Sequence, residues 1–271
     1  MIGRAQRKLN AANKRGGDPW EHVEEYKMFD LKGSTMETHE NICDEASPCP
    51  IIVLLYARMG LHRYNLLQGT KLALSRVQKY VNARAGGVAA GSYYITLDAM
   101  DPAVGSSSLH TFQTHVTEES FGCFILTSNI ARIRGDSSAG RGEILLDHSL
   151  PEWPAENPFE KYYLVKEPDN EWIRLYMELV VVTNDWDRKA EDFGPKLEIV
   201  KVAMDANGEG PDALNAVFYL RFKDLYEAQI GKALDRFAIV RRRFNEEKGS
   251  FSLVGSEVEP NVDSQMKALH L

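Results

Sequence analysis

The stretch from Gly86 to Asp101 constrains the chain more than any other part. A run of small residues, Gly86-Gly87-Val88-Ala89-Ala90-Gly91, leads directly into a strand pattern. Tyr93, Ile95, Leu97 and Ala99 fall on one side, and Tyr94, Thr96, Asp98 and Met100 on the other, as the two-residue period of a strand requires. The tip has almost no side chains, so backbone there can come close to another surface. This predicts a hairpin turn. It also makes Gly87, Val88, Ala89, Ala90 and Gly91 the candidate protein-binding loop, against the plainer reading that the loop only turns the chain.

The elements around this hairpin follow from periodicity. Residues 23–31 read as a first strand, followed by a polar loop with His39, Cys43 and Cys49. Those three are possible zinc ligands, but a structural site needs a fourth, so free thiols in a loop are the expectation. Residues 51–65 read as a helix with Leu54, Ala57, Leu61 and Tyr64 on one face. Gly60 inside it costs about 1 kcal/mol relative to Ala, so packing must hold the helix there. Residues 72–81 read as a strand whose apolar phase shifts between Leu74 and Val77, which predicts a bulge. Two further strands are expected over 109–117 and 121–133.

The composition then changes. Residues 134–159 hold a Gly/Ser-rich run and three prolines, which suits a linker. Beyond it the same order returns. A short strand is expected at 161–166, and a helix at 171–183 with Trp172, Leu175, Leu179 and Val182 on one face. Strands follow at 197–204, 214–223, 236–244 and 250–254, with one helical turn within 224–232. The pattern predicts an α+β protein of two units, each an antiparallel sheet wrapped on one helix. The expected organisation is a basic tail at 1–20, units at 21–133 and 160–256 separated by the linker, and a tail at 257–271.

Charge and motifs narrow the function. A net charge of −7 supplies no global cationic field, so a nucleic-acid partner is not expected. Within a strand Arg241, Arg242 and Arg243 alternate faces, and Arg241 with Arg243 reads as one solvated edge. The longest apolar run, 51–55, is too short to span a bilayer. The start of the chain has no apolar secretory core, and three cysteines in no framework suit a reduced compartment, so a cytoplasmic or nuclear location is expected. No Gly-x-Ser-x-Gly, His-Glu-x-x-His or phosphate-cradling glycine motif is present, and no enzymatic activity, cofactor or metal is expected. His110 and His115 fall on opposite strand faces, and Asp98, Asp101, Asp185 and Asp187 read as edge, turn and solvated acids.

Gly87-Val88-Ala89-Ala90-Gly91 followed by Ser92-Tyr93-Tyr94-Ile95-Thr96-Leu97-Asp98-Ala99 resembles the inhibitory hairpin of plant cystatins, and residues 55–65 resemble the cystatin helix. That resemblance implies two cystatin-like units. It also implies an alternative function, inhibition of papain-like cysteine proteases. Gly87 and Ala89 depart from the inhibitory loop, and Glu118-Glu119-Ser120-Phe121 lacks the Pro-Trp of the second inhibitory hairpin. Over its greater length the chain resembles the plant-specific male-sterility-five (MS-five) family. The matching pieces are residues 56–70, 90–97, 109–114, 130–135 and 235–242. This resemblance implies a non-catalytic protein-interaction module, its protein partner unidentified, with a role in reproductive development: meiosis, male fertility or embryo development.

Overall fold

The computed structural model describes residues 27–33, 38–84, 91–104, 108–119, 124–136, 149–166, 170–185, 188–209, 213–245 and 249–259. Among the described residues, ten strands form one antiparallel sheet. In chain order they are β1 (Thr38–Ile42), β2 (Ala73–Arg84), β3 (Gly91–Met100), β4 (His110–Glu118), β5 (Phe124–Ile133), β6 (Tyr163–Leu164), β7 (Leu197–Asp205), β8 (Ala216–Asp224), β9 (Asp235–Asn245) and β10 (Ser250–Val258). In space the order is β1-β2-β3-β4-β5-β10-β9-β8-β7-β6. The last strands of the two halves therefore lie side by side, with Leu126 opposite Leu253 and Phe124 opposite Gly255.

Two long helices, α1 (Ile51–Gln68) and α3 (Glu171–Asn184), cover one face of the sheet. The short helices α2 (Pro158–Lys161) and α4 (Leu225–Gln229) lie between strands. Each half thus runs strand, helix, four strands, and a single apolar core extends beneath both long helices. The α+β class expected from the sequence is the class observed.

Local chemistry explains the helix ends. Gly69 closes α1 in the left-handed region at φ 65°, which glycine adopts without a Cβ penalty. Asn170 caps α3 by accepting from the Ile173 amide at 3.0 Å. Both helices are buried over far more than the one face that periodicity suggests. In α3 every residue from Ile173 to Thr183 except Arg174 is buried, because the sheet covers one side and α1 a second. Gly60 has a packing reason. A Cβ there would sit 2.0 Å from Thr114 Oγ1, so the missing side chain lets α1 rest directly on β4.

β2 carries the expected bulge, with register shifts at Leu74/Arg76 and again at Val77/Lys79. Three expectations are corrected. Within the stretch read as the first strand, Met28–Asp30 is a 3₁₀ turn, and the first described strand is Thr38–Ile42, in the segment read as polar loop. Phe29 is what the turn buries. It packs edge-on against Tyr94 on the face opposite the helices, where a strand would have nothing to pair with. Cys43 and Cys49 form a disulfide rather than free thiols. The carbonyl of Gln78 receives the Cys43 amide, so the β1–α1 connection is fixed to β2 as well as to itself.

Part of the linker-like segment is surface cover. Trp153 and Phe159 pack with Tyr219, Phe237 and Ile239 on the face of the sheet away from the long helices. Asn157 caps α2, and Pro158 begins it. The prolines that resembled linker stiffening place an aromatic lid on strands β8 and β9.

Candidate functional site

Of the sequence-derived loop, only Gly91 lies within the described residues; Gly87, Val88, Ala89 and Ala90 lie outside them. The base of the hairpin is built tightly. A Cβ on Gly91 would fall 2.9 Å from Glu118 Oε2 and 3.1 Å from the Tyr93 ring. Glu118 is buried and accepts from the Tyr56 hydroxyl at 2.5 Å, and Tyr56 packs edge-on against Tyr93. Burial first, then the Glu118 charge and its hydrogen bond, push the Tyr56 phenol well above its usual pKa, so it remains a donor. Helix α1 and strand β4 therefore hold the start of β3 from below. Ser92 pairs with Thr117, which puts the β2–β3 and β4–β5 connections at the same end of the sheet.

A second site, not legible as a site in the sequence, lies between the two long helices. It is a cavity of about 670 Å³, walled by Leu61, Leu66, Leu72, Leu74, Trp172 and Leu175. Its charged and titratable groups are Arg58 and His62 on α1, the exposed Lys71 just before β2, Glu171 on α3 and Arg242 on β9. Arg58 pairs with the buried Glu178 carboxylate at 2.5 Å and also donates to the Glu171 carbonyl at 3.2 Å, tying α1 to α3. His62 Nε2 meets the Tyr176 hydroxyl at 2.8 Å, and its ring lies parallel to Trp172. Arg242 donates from Nη1 to the same Tyr176 oxygen at 3.1 Å, from Nε to the Leu214 carbonyl at 2.9 Å and from Nη2 to the Ala213 carbonyl at 2.6 Å.

The proton positions follow from those donors. Arg242 gives a proton to Tyr176, so the Tyr176 hydroxyl hydrogen is available to His62 Nε2. A neutral His62 then carries its own proton on Nδ1. Burial, reinforced by the Arg242 charge, lowers the His62 pKa to about 3, which keeps the ring neutral at physiological pH. The guanidinium of Arg242 lies 5.2 Å from both the Trp172 and Phe218 ring centroids, and so has aromatic faces around it.

The remaining candidates separate. Arg241 and Arg243 are half-buried and alternate with the buried Arg242, but β9 is an interior strand, not an edge. Asp98 is not a solvated edge acid. It is buried, and it accepts from Arg76 at 2.7 Å and from Gln78 at 2.6 Å. Asp101 does cap a turn, accepting from the Ala103 amide at 2.9 Å. His115 is buried and stacked on Tyr94 at 4.0 Å between centroids. Asp187 and Cys123 lie outside the described residues. The disulfide occupies both thiols of the His39-Cys43-Cys49 set. Among the described residues no group of three or more His, Cys, Asp or Glu could hold a metal. None of the described helices is long and apolar enough to cross a membrane.

These features define an α+β protein in which one antiparallel sheet carries two ion-paired helices with a cavity between them. Residues 150–253 match the family model described as Protein MS5. UPF0725 protein At3g25080 of Arabidopsis thaliana is 56% identical over 170 residues, which cover 60% of this chain and 99% of that protein. UPF0725 protein EMB2204 of the same plant is 39% identical over 225 residues, 77% of this chain and 67% of the relative. The crystal structure of MS5 from Brassica napus has a TM-score of 0.59 at 31% identity, covering 78% of this chain and all of that one. The chain belongs to the MS5 family.

Proposed function

We propose that this chain is a non-catalytic protein-interaction module built from two cystatin-like units. One observation carries the reading: the polar groups that converge between the helices are bound to one another. Arg58 is committed to Glu178, and Tyr176 links His62 to Arg242, with the imidazole held neutral by burial. A general base needs a pKa near the working pH. These groups instead fix the relative placement of two helices.

Pairs at matching places in the two halves support the duplication. Tyr56 on α1 packs against Tyr93 on β3, as Tyr176 on α3 packs against Phe218 on β8. On the other face Phe29 covers Tyr94, as Trp153 covers Tyr219. The bulges of β2 and β7 fall in strands of the same rank. Arg58 and Glu178, which pair with each other, each lie two residues beyond those helix tyrosines.

The proposed binding surface is the end of the sheet that bears the 87–91 loop, whose base is held rigid by Tyr56 and Glu118. Preorganisation of that kind lowers the cost of binding. The male-sterility-five resemblance supports a role in reproductive development, through meiosis, male fertility or embryo development. The second reading, a cystatin-type inhibitor, is favoured by the same loop.

Titration of the purified protein against papain separates the two. No inhibition at micromolar protein is expected, and tight stoichiometric inhibition would replace the first reading with the second. The developmental role is tested by disrupting the gene and scoring meiosis and seed set. Normal fertility and embryo development in the disrupted plant would remove it.

A further inference from the structure

The cavity between α1 and α3 contains one group that the scaffold reading does not explain. Arg242 is 5% exposed, yet all three of its hydrogen bonds go to neutral oxygens. Among the described residues it has no ion pair. A buried guanidinium is normally paired, because taking a cation out of water is costly unless an anion compensates it. Arg188, also deeply buried, shows the contrast: Asp224 holds it bidentately at 2.6 and 2.8 Å. A guanidinium has five N–H donors, so two on Arg242 make no hydrogen bond to described residues.

We propose that this cavity binds a small, largely apolar carboxylic acid, with its carboxylate as the missing partner of Arg242. The volume of about 670 Å³ lies within the range of small-molecule sites. Leucines from α1, β2 and α3, with the Trp172 ring, would take the apolar body. His62 lines the same space as a neutral ring, so its Nδ1–H is a second donor for an anionic oxygen and adds no charge of its own. Two features select a monoanion over a phosphate. Of the charges that line the cavity, Arg242 is the buried cation with no anion among the described residues, which matches a single negative charge, and the exposed Glu171 side chain offsets the exposed Lys71 rather than leaving it for a second. Arg58 is already neutralised by Glu178. The site goes beyond the interaction-module reading, and its test is independent of papain and of any protein partner.

The experiment is isothermal titration calorimetry at neutral pH with two probe acids, 2-naphthoate and decanoate. Their uncharged amides serve as controls. At least one acid is expected to bind with one-to-one stoichiometry, and at least about tenfold more tightly than its amide, as a charge-assisted hydrogen bond requires. Leu66→Trp fills the cavity wall without touching Arg242. It should abolish binding while the thermal midpoint stays near that of the parent. Arg242→Gln should remove the preference for acid over amide. Where that variant does not fold, the amide comparison and Leu66→Trp decide. The proposal is overturned if neither acid binds at about 1 mM, the weak end of measurable affinity. It is also overturned if acid and amide bind equally, or if Leu66→Trp binds as the parent does.

Discussion

His62 shows how a single side chain couples the helix interface to pH. Its folded pKa of about 3 lies below the usual value of 6.5, because burial and then the Arg242 charge disfavour the imidazolium. The unfolded chain therefore takes up a proton near pH 6.5 that the folded chain refuses. The stabilising contribution is complete above that pH and is lost as the pH falls toward 3. One such proton gives a slope approaching about 1.4 kcal/mol per pH unit. Urea midpoints measured between neutral pH and pH 4.5 should fall more steeply for the parent than for His62→Asn. Parallel profiles would show that the ring is not held neutral.

Gly60 makes the opposite case, a residue whose importance is what it lacks. An exposed helical glycine gains about 1 kcal/mol on conversion to alanine. Here the new methyl would overlap Thr114, whose hydroxyl is itself bound to the Ile130 carbonyl at 2.8 Å. Overpacking of this kind costs about 1–3 kcal/mol. Gly60→Ala should lower the thermal midpoint, and a rise would show that α1 does not rest on β4 at this point.

At the scale of elements, Asp224 joins three pieces of the second half. It ends β8, caps α4 through the Glu227 amide, and holds Arg188 in a pair whose side chains are each 1% exposed. Removing one partner of a buried pair leaves a charge stranded, at about 3–5 kcal/mol. Asp224→Ala should lose that much in equilibrium denaturation, and Asp224→Leu with Arg188→Met should recover most of it. If Asp224→Ala alone is nearly neutral, solvent reaches the pair.

Element order was legible because periodicity reports it directly. The alternation around Tyr93, the bulge near Leu74 and the two helices all appear where the apolar spacing places them. The first strand was not legible, since Thr38–Ile42 is polar and pairs at the margin of the sheet, while Phe29 carries the apolar signal nearby. The cavity was hidden for a related reason. The alternation of Arg241, Arg242 and Arg243 does say that one arginine faces opposite to its neighbours. It does not say that β9 is interior, and that is what buries Arg242 between two helices whose sequence positions lie far from it. The Cys43–Cys49 pairing depends likewise on how the loop folds back, which spacing alone leaves open.

For the whole molecule, the seam between the halves decides whether they behave as two domains or one. β5 and β10 pair directly, the core cluster includes both Leu126 and Leu253, and Arg63 on α1 reaches the Gly249 carbonyl at 3.0 and 2.6 Å from Nε and Nη2. Arg58–Glu178 adds a tie between the helices. No half can unfold without exposing the core face of the other. Calorimetry should therefore show one transition, with calorimetric and van't Hoff enthalpies in agreement. Gly255 is the sensitive point of this seam, because a Cβ there would lie 2.4 Å from the Ile239 carbonyl and 2.9 Å from the Phe124 ring. A backbone oxygen inside a sheet cannot step aside as a flexible side chain can. Gly255→Ala should consequently separate β10 from its neighbours and lower the midpoint by more than Gly60→Ala, where only one side chain must shift. Two resolved transitions in the parent protein would show that the halves fold as independent domains despite the shared sheet.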